Sequence, residues 1–183
     1  MDLRLAWSLM AATALSGCVT YTAIPYQSSA NTTAAILQTG MPAIAVKPFT
    51  AASSIQASIM CRAAGPVKAS PDFAGYIENA FISELRQAGA YDPASPLTVS
   101  GKLDDIGFSS GMSDGGWAMT LTITNARQQS YTTQSRYVFE GSFFGEVACQ
   151  QVRDYFGPAV QRLVRDVILN PRFKEIVSSS RGN

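Results

Sequence analysis

The strictest pattern in the chain is a period of two. Trp117, Met119, Leu121 and Ile123 alternate with Ala118, Thr120, Thr122 and Thr124, which predicts a strand with one apolar and one polar face. Leu97, Val99, Gly101 and Leu103 alternate in the same way, but Ile106 and Phe108 fall on the opposite parity. A bulge at Asp104-Asp105 would restore a single apolar face. Gly111 to Gly116 reads as the loop between these two strands. Asn125 to Gln134 is polar and reads as a hairpin tip. Arg136 to Val147 then returns, with Tyr137, Phe139 and Phe143 on one parity and Val138 and Phe144 on the other. Upstream, Ala43-Ile44-Ala45-Val46 is a short apolar run. It predicts the first strand, stopped near Pro48, with Phe49 a further candidate for the core.

Two stretches follow helical spacing instead. Phe73, Ile77, Phe81 and Leu85 recur every four residues, preceded by Ser70-Pro71-Asp72 and followed by Gly89. Ser70 suits the N-cap, Pro71 the first helical position, Asp72 the positive end of the dipole and Gly89 the stop. From about Ala148 to Leu169 the stripe is Val152, Phe156, Val160, Leu163, Val164 and Val167, with Gly157-Pro158 placed to kink or split the helix. Asn170-Pro171 ends it, Arg172 to Val177 has room for a final helical turn, and Ser178 to Asn183 reads as a frayed tail. Thr50 to Ala69 is small and polar, with Ile55, Ile59 and Met60 as possible anchors and Gly65-Pro66 as a turn. The order strand, helix, three strands, helix predicts an α/β two-layer sandwich, a mixed sheet with the helices on one face. Its other face would be open to solvent or a partner, and the row Thr120, Thr122 and Thr124 fits such a face.

The start of the chain follows neither period. Met1-Asp2-Leu3-Arg4 leads into an apolar run from Leu5 to Leu15, the length of a signal-peptide core and too short to span a bilayer. Leu15-Ser16-Gly17-Cys18 follows, an aliphatic residue, two small residues and a cysteine. This resembles the lipobox of bacterial lipoproteins at all four positions. The resemblance implies that residues 1–17 are a signal peptide cleaved before Cys18, and that Cys18 is the lipidation site and bears three acyl chains. Each buried methylene contributes about 0.8 kcal/mol, so such an anchor is held almost permanently. Ordinary secretion, with Ala12-Thr13-Ala14 as the cleavage site, is the alternative and leaves Cys18 unexplained. Val19, rather than Asp, follows the cysteine. By the lipoprotein sorting rule this implies the outer membrane of a Gram-negative bacterium, at its periplasmic face. Residues 19 to about 40 are rich in Thr, Ser, Ala, Gln and Asn. Residues 18–40 therefore read as a lipidated flexible tether, and 41–177 as a single periplasmic domain. The element order of that domain is similar to the periplasmic domain of the curli-secretion lipoprotein and the amino-terminal domain of TolB, and to the auxiliary lipoprotein of ABC-type lipid-transport systems. The likeness implies a small α/β domain acting through other proteins, and brings no site residues with it.

Composition narrows the chemistry. Lys and Arg number 14 against 13 Asp and Glu, scattered without a basic stripe, so no nucleic-acid partner is expected. The chain has no His, which removes the Ser-His-Asp triad, the Cys-His dyad and most zinc sites. Neither a metal site nor a cofactor is expected. Of three cysteines, assigning Cys18 to lipid leaves Cys61 and Cys149. In an oxidising compartment these favour a disulfide closing a loop of about 90 residues, worth about 4 kcal/mol; two buried free thiols are the alternative. Asp104-Asp105 is the one acidic pair, with Asp114 nearby, but neighbours on a strand point to opposite faces, so a bulge or turn role is preferred to acid-base or cation chemistry. Ser109 to Gly116 is glycine-rich but lacks the Lys and spacing of a phosphate loop. The strands also have the length of membrane β-strands, for which an ordinary half-buried sheet is preferred. The expectation is a non-enzymatic, outer-membrane-anchored docking or accessory component of an envelope assembly, secretion or transport complex, alone or as a homo-oligomer. The alternative is a lipid- or small-ligand-binding envelope module using the aromatic side chains.

Overall fold

The computed structural model describes residues 19–179. The expected signal peptide, Cys18 and residues 180–183 of the expected tail lie outside them. In chain order the elements are β1 (Tyr21–Thr22), α1 (Ala30–Thr39), β2 (Ala45–Val46), β3 (Thr50–Ala51), β4 (Ser58–Cys61), β5 (Gly65–Lys68), α2 (Phe73–Gln87), β6 (Thr98–Ser110), β7 (Asp114–Asn125), β8 (Ser130–Glu140), α3 (Gly145–Asp154), α4 (Phe156–Ile168) and α5 (Pro171–Ser179). The main sheet is mixed, in the order β2-β6-β7-β8, with β3 also on β6. The helices cover one face of it, giving the two-layer α/β sandwich that the patterning predicts.

The long meander is built from the alternation. Leu103 pairs with Leu121 and Asp105 with Thr120, so Asp104 is the extra residue of a bulge. Leu103 and Ile106 are consequently both buried although their parities differ. The β7–β8 ladder runs on to Thr124 and Ser130, so the hairpin tip is far shorter than the polar stretch from Asn125 to Gln134 suggests. Thr133 in that stretch and Ser135 just after it are polar yet point inward, and the Ser135 hydroxyl donates to Asp166 at 2.6 Å. Asn125 shapes the turn, its Oδ1 accepting from the backbone N–H of Arg127 and Gln129. The strand expected from Ala43 to Val46 does end before Pro48, and a second short strand, β3, follows it. Pro48 has no N–H to donate, and Ala45 and Thr50 join β6 separately, opposite Thr98 and Lys102. Between them Phe49 turns inward over Gly101, where a Cβ would lie 2.5 Å from its ring, and reaches Phe81 at 5.7 Å between centroids.

The helices differ from expectation at their ends. α2 starts after Asp72, not Ser70, because the Asp72 carboxylate accepts from the Gly75 N–H at 2.8 Å and serves as N-cap. The last long helix splits at Tyr155, since Pro158 cannot donate to the carbonyl of Asp154. The final turn is a nine-residue helix, α5, with Pro171 at its first position. Ser178 and Ser179 belong to it rather than to a frayed tail. Trp117 is fully buried at the centre of the core, within 4.9 Å of the Phe108 ring and 4.8 Å of the Phe156 ring. Its indole N–H donates to the Val152 carbonyl at 2.8 Å, tying β7 to α3.

The expected tether is the largest correction. Residues 19–40 are packed, not loose, so the domain begins well upstream of residue 41. Tyr21 and Ile36 are buried with the core. β1 runs parallel to β5, which pairs antiparallel with β4, so β1 joins β4 and β5, from the small, polar segment Thr50 to Ala69, in a second, three-stranded sheet. Small polar side chains suit this segment because its backbone is satisfied by ladder bonds.

Candidate functional site

Asp104, Asp105 and Asp114 stand in three separate settings. Asp104, on the bulge, is ion-paired to Lys102 at 2.9 Å and accepts from the Thr122 hydroxyl at 2.6 Å. Partial burial pushes its pKa up, but the Thr122 and Lys102 contacts outweigh this and hold the carboxyl below its ordinary value. Asp105 pairs in the ladder with Thr120, and Asp114 stands at the start of β7 opposite Glu140. Among the described residues no group of three or more His, Cys, Asp or Glu is placed to hold a metal ion.

Asp104→Asn is expected to destabilise by under about 1 kcal/mol, since the ion pair is exposed to solvent. A carboxyl with a lowered folded-state pKa stabilises above the ordinary carboxylate range and loses that contribution as pH falls through its lowered value. The variant and parent should therefore converge in chemical denaturation only below the ordinary carboxylate range. A gap of several kcal/mol at neutral pH would show that Asp104 does more than shape the bulge.

The sheet face away from the helices is open and polar. Lys102, Thr122 and Thr132 lie side by side across three strands, as do Asp105, Thr120 and Gln134. Thr122 and Thr132 share a hydrogen bond of 2.7 Å. This is the surface the alternation of β7 predicts, widened because β8 starts at Ser130 rather than Arg136.

A groove of about 480 Å³ opens beside the end of α1, between the residues joining α1 to β2 and the α4–α5 corner. Met41, Pro42, Leu169, Phe173 and Val177 supply its apolar wall, and Lys174 a cation. Its size lies in the range of small-ligand sites.

The opposite feature is a stapled end. Cys61 of β4 and Cys149 of α3 form a disulfide. Next to it, Arg62 sits at the β4–β5 turn with φ 48°. Its guanidinium donates to the carbonyls of Phe143 and Ser142 at 3.2 Å each, and to the carbonyl of Ser110. Gly141 and Ser142 donate across to Ser113 and Gly111. One arginine thus holds together the β6–β7 and β8–α3 connections. The expected strand through Phe143 and Phe144 is replaced by this connection, and both rings stand in solvent. No spacing rule marks Arg62, because its partners are backbone carbonyls remote in sequence. Among the described residues no helix is long and apolar enough to cross a membrane.

No protein-family model matches the sequence, and no curated protein matches it. Solved structures do. Protein XCC0632 from Xanthomonas campestris, described as DUF330, is 10% identical, with a TM-score of 0.53 over 82% of this chain and 92% of that one. The hypothetical protein CT253 from Chlamydia trachomatis is 11% identical, with a TM-score of 0.45 over 76% of this chain and 99% of that one. The first likeness shows a shared fold.

Proposed function

We propose that this chain is a lipoprotein of the bacterial outer membrane, anchored through Cys18, whose periplasmic domain docks as an accessory component of an envelope assembly, secretion or transport complex. The observation that carries the reading is the lipobox Leu15-Ser16-Gly17-Cys18 immediately ahead of packed structure. Tyr21 is already buried, so an anchor on Cys18 would hold the domain close to the bilayer rather than on a leash. The open polar sheet face then remains accessible to a protein partner. The reading is non-enzymatic: the chain has no histidine, and the candidate carboxylates Asp104, Asp105 and Asp114 are spent on a bulge, an ion pair and strand positions rather than converging.

Cys18→Ser is expected to move the protein from the membrane to the soluble periplasmic fraction. Retention of the variant in the membrane pellet would contradict the anchor. Crosslinking in cells should trap the parent with a defined envelope protein; a protein that stays solitary under the same conditions would contradict docking.

The α4–α5 groove favours a second reading, a module that binds a lipid or another small apolar ligand. Native mass spectrometry of the gently extracted protein should then show a bound mass beyond that of the anchor. A mass equal to the acylated chain alone would dismiss it.

A further inference from the structure

The domain carries its most exposed large apolar side chains at the same end as the start of the described chain. Phe143 and Phe144 are 74% and 70% exposed, their rings edge-on at 5.8 Å. Met112, 67% exposed, comes from the neighbouring β6–β7 turn, and Val147, on the first turn of α3, extends the patch. Exposed apolar clusters of this kind mark contact surfaces. The backbone beneath is firmly held by Arg62 and by the bonds between the two connections. The rings are therefore presented on a fixed platform.

Val19 leads to the same place. Its carbonyl oxygen occupies the space that a Cβ on Gly65 would fill. Gly65 pairs with Cys61, the residue before Arg62. Cys18 is the next residue back along the chain.

We propose that Met112, Phe143 and Phe144 insert into the interfacial layer of the bilayer that holds the Cys18 anchor, and so fix the orientation of the domain on the membrane. This rests on the lipoprotein reading above. The occupant is a lipid surface because acyl chains on Cys18 would leave the protein at this end. Asp114, Glu140 and Glu146 are exposed around the patch, and Arg62 is engaged by carbonyls. Apolar burial rather than attraction to anionic headgroups drives the contact, so zwitterionic lipid suffices.

The test uses the full lipidated protein, extracted from membranes and reconstituted in phosphatidylcholine vesicles with or without acyl chains brominated near the glycerol end. A Phe144→Trp variant reports the tip and a Gln134→Trp variant the open sheet face; the buried Trp117 gives a common background. Flotation reports the anchor independently. The expected result is flotation of both variants, with a blue-shifted added emission quenched at least two-fold for Phe144→Trp alone. Flotation with water-like, unquenched emission from Phe144→Trp overturns the tip contact and leaves the anchor standing. A blue shift without quenching overturns it in favour of a protein neighbour. Equal quenching of both variants overturns it in favour of a domain lying flat. Failure of the parent to float removes the anchor and this inference together.

Discussion

Cys61→Ser is expected to destabilise the domain by about 4.5 kcal/mol, the chain-entropy estimate for opening a loop of this length. The two cysteines are separated by 88 residues, so their bond restrains half of the unfolded chain. Both are fully buried, so the variant also leaves a lone thiol and a new hydroxyl in an apolar setting. The bond joins the small sheet to α3, and α3 packs against both sheets. Against a typical domain stability of about 5–15 kcal/mol, this loss is a large fraction. The measurement is urea unfolding of the parent, the reduced parent and the variant. The reduced parent should fall near the variant, and the oxidised parent alone should run faster on a non-reducing gel. A difference under about 1 kcal/mol would mean that the unfolded chain is already restrained without the bridge.

The same bond shows how far the sequence was legible. The pairing of Cys61 with Cys149 followed from counting cysteines once Cys18 was set aside. β6 with its bulge, β7 and the two long helical stretches followed from periods of 2 and 3.6, because each of those elements has one clean apolar face. Residues 19–40 and 50–69 have no such face. β1, β4 and β5 are short, and their stability comes from partners distant in the chain, which no local pattern records. Phe143 and Phe144 were misplaced for a related reason. Alternation of aromatic residues reads as strand, but here the ladder ends at Glu140 and the rings turn outward. Of the candidate site, the polar sheet face was readable from the Thr row. The Arg62 latch was not, since its acceptors are main-chain carbonyls. Glu84 left a signal that composition arguments passed over: it lies seven residues after Ile77, on the apolar stripe of α2. A carboxylate there demands partners.

Those partners make Glu84→Ala the second large effect, expected at about 3 kcal/mol, since orphaned buried donors cost about 1–3 kcal/mol each. Glu84 is fully buried. It accepts from the Tyr26 hydroxyl at 2.6 Å, the Ser29 N–H at 2.7 Å and the Thr33 hydroxyl at 3.1 Å. Burial first, and then the Glu84 carboxylate, push the Tyr26 pKa far above its ordinary value, so Tyr26 stays a donor. This network, with Tyr76 donating to the Ile24 carbonyl and Gln161 to that of Gln27, fastens the supposed tether onto α2 and α4. Hydrogen exchange should therefore show α1 losing protection in Glu84→Ala while β6, β7 and β8 keep theirs. Glu84→Gln, which retains one acceptor oxygen and the volume, should lose about 1 kcal/mol. Unchanged protection across α1 would mean that Ile36 and the other apolar contacts hold the helix unaided. β1 lies upstream of the loosened segment and keeps its pairing with β5. Glu84→Ala should therefore weaken the domain without lengthening the connection from Cys18 to its first strand, which separates the stability of α1 from the geometry of anchoring.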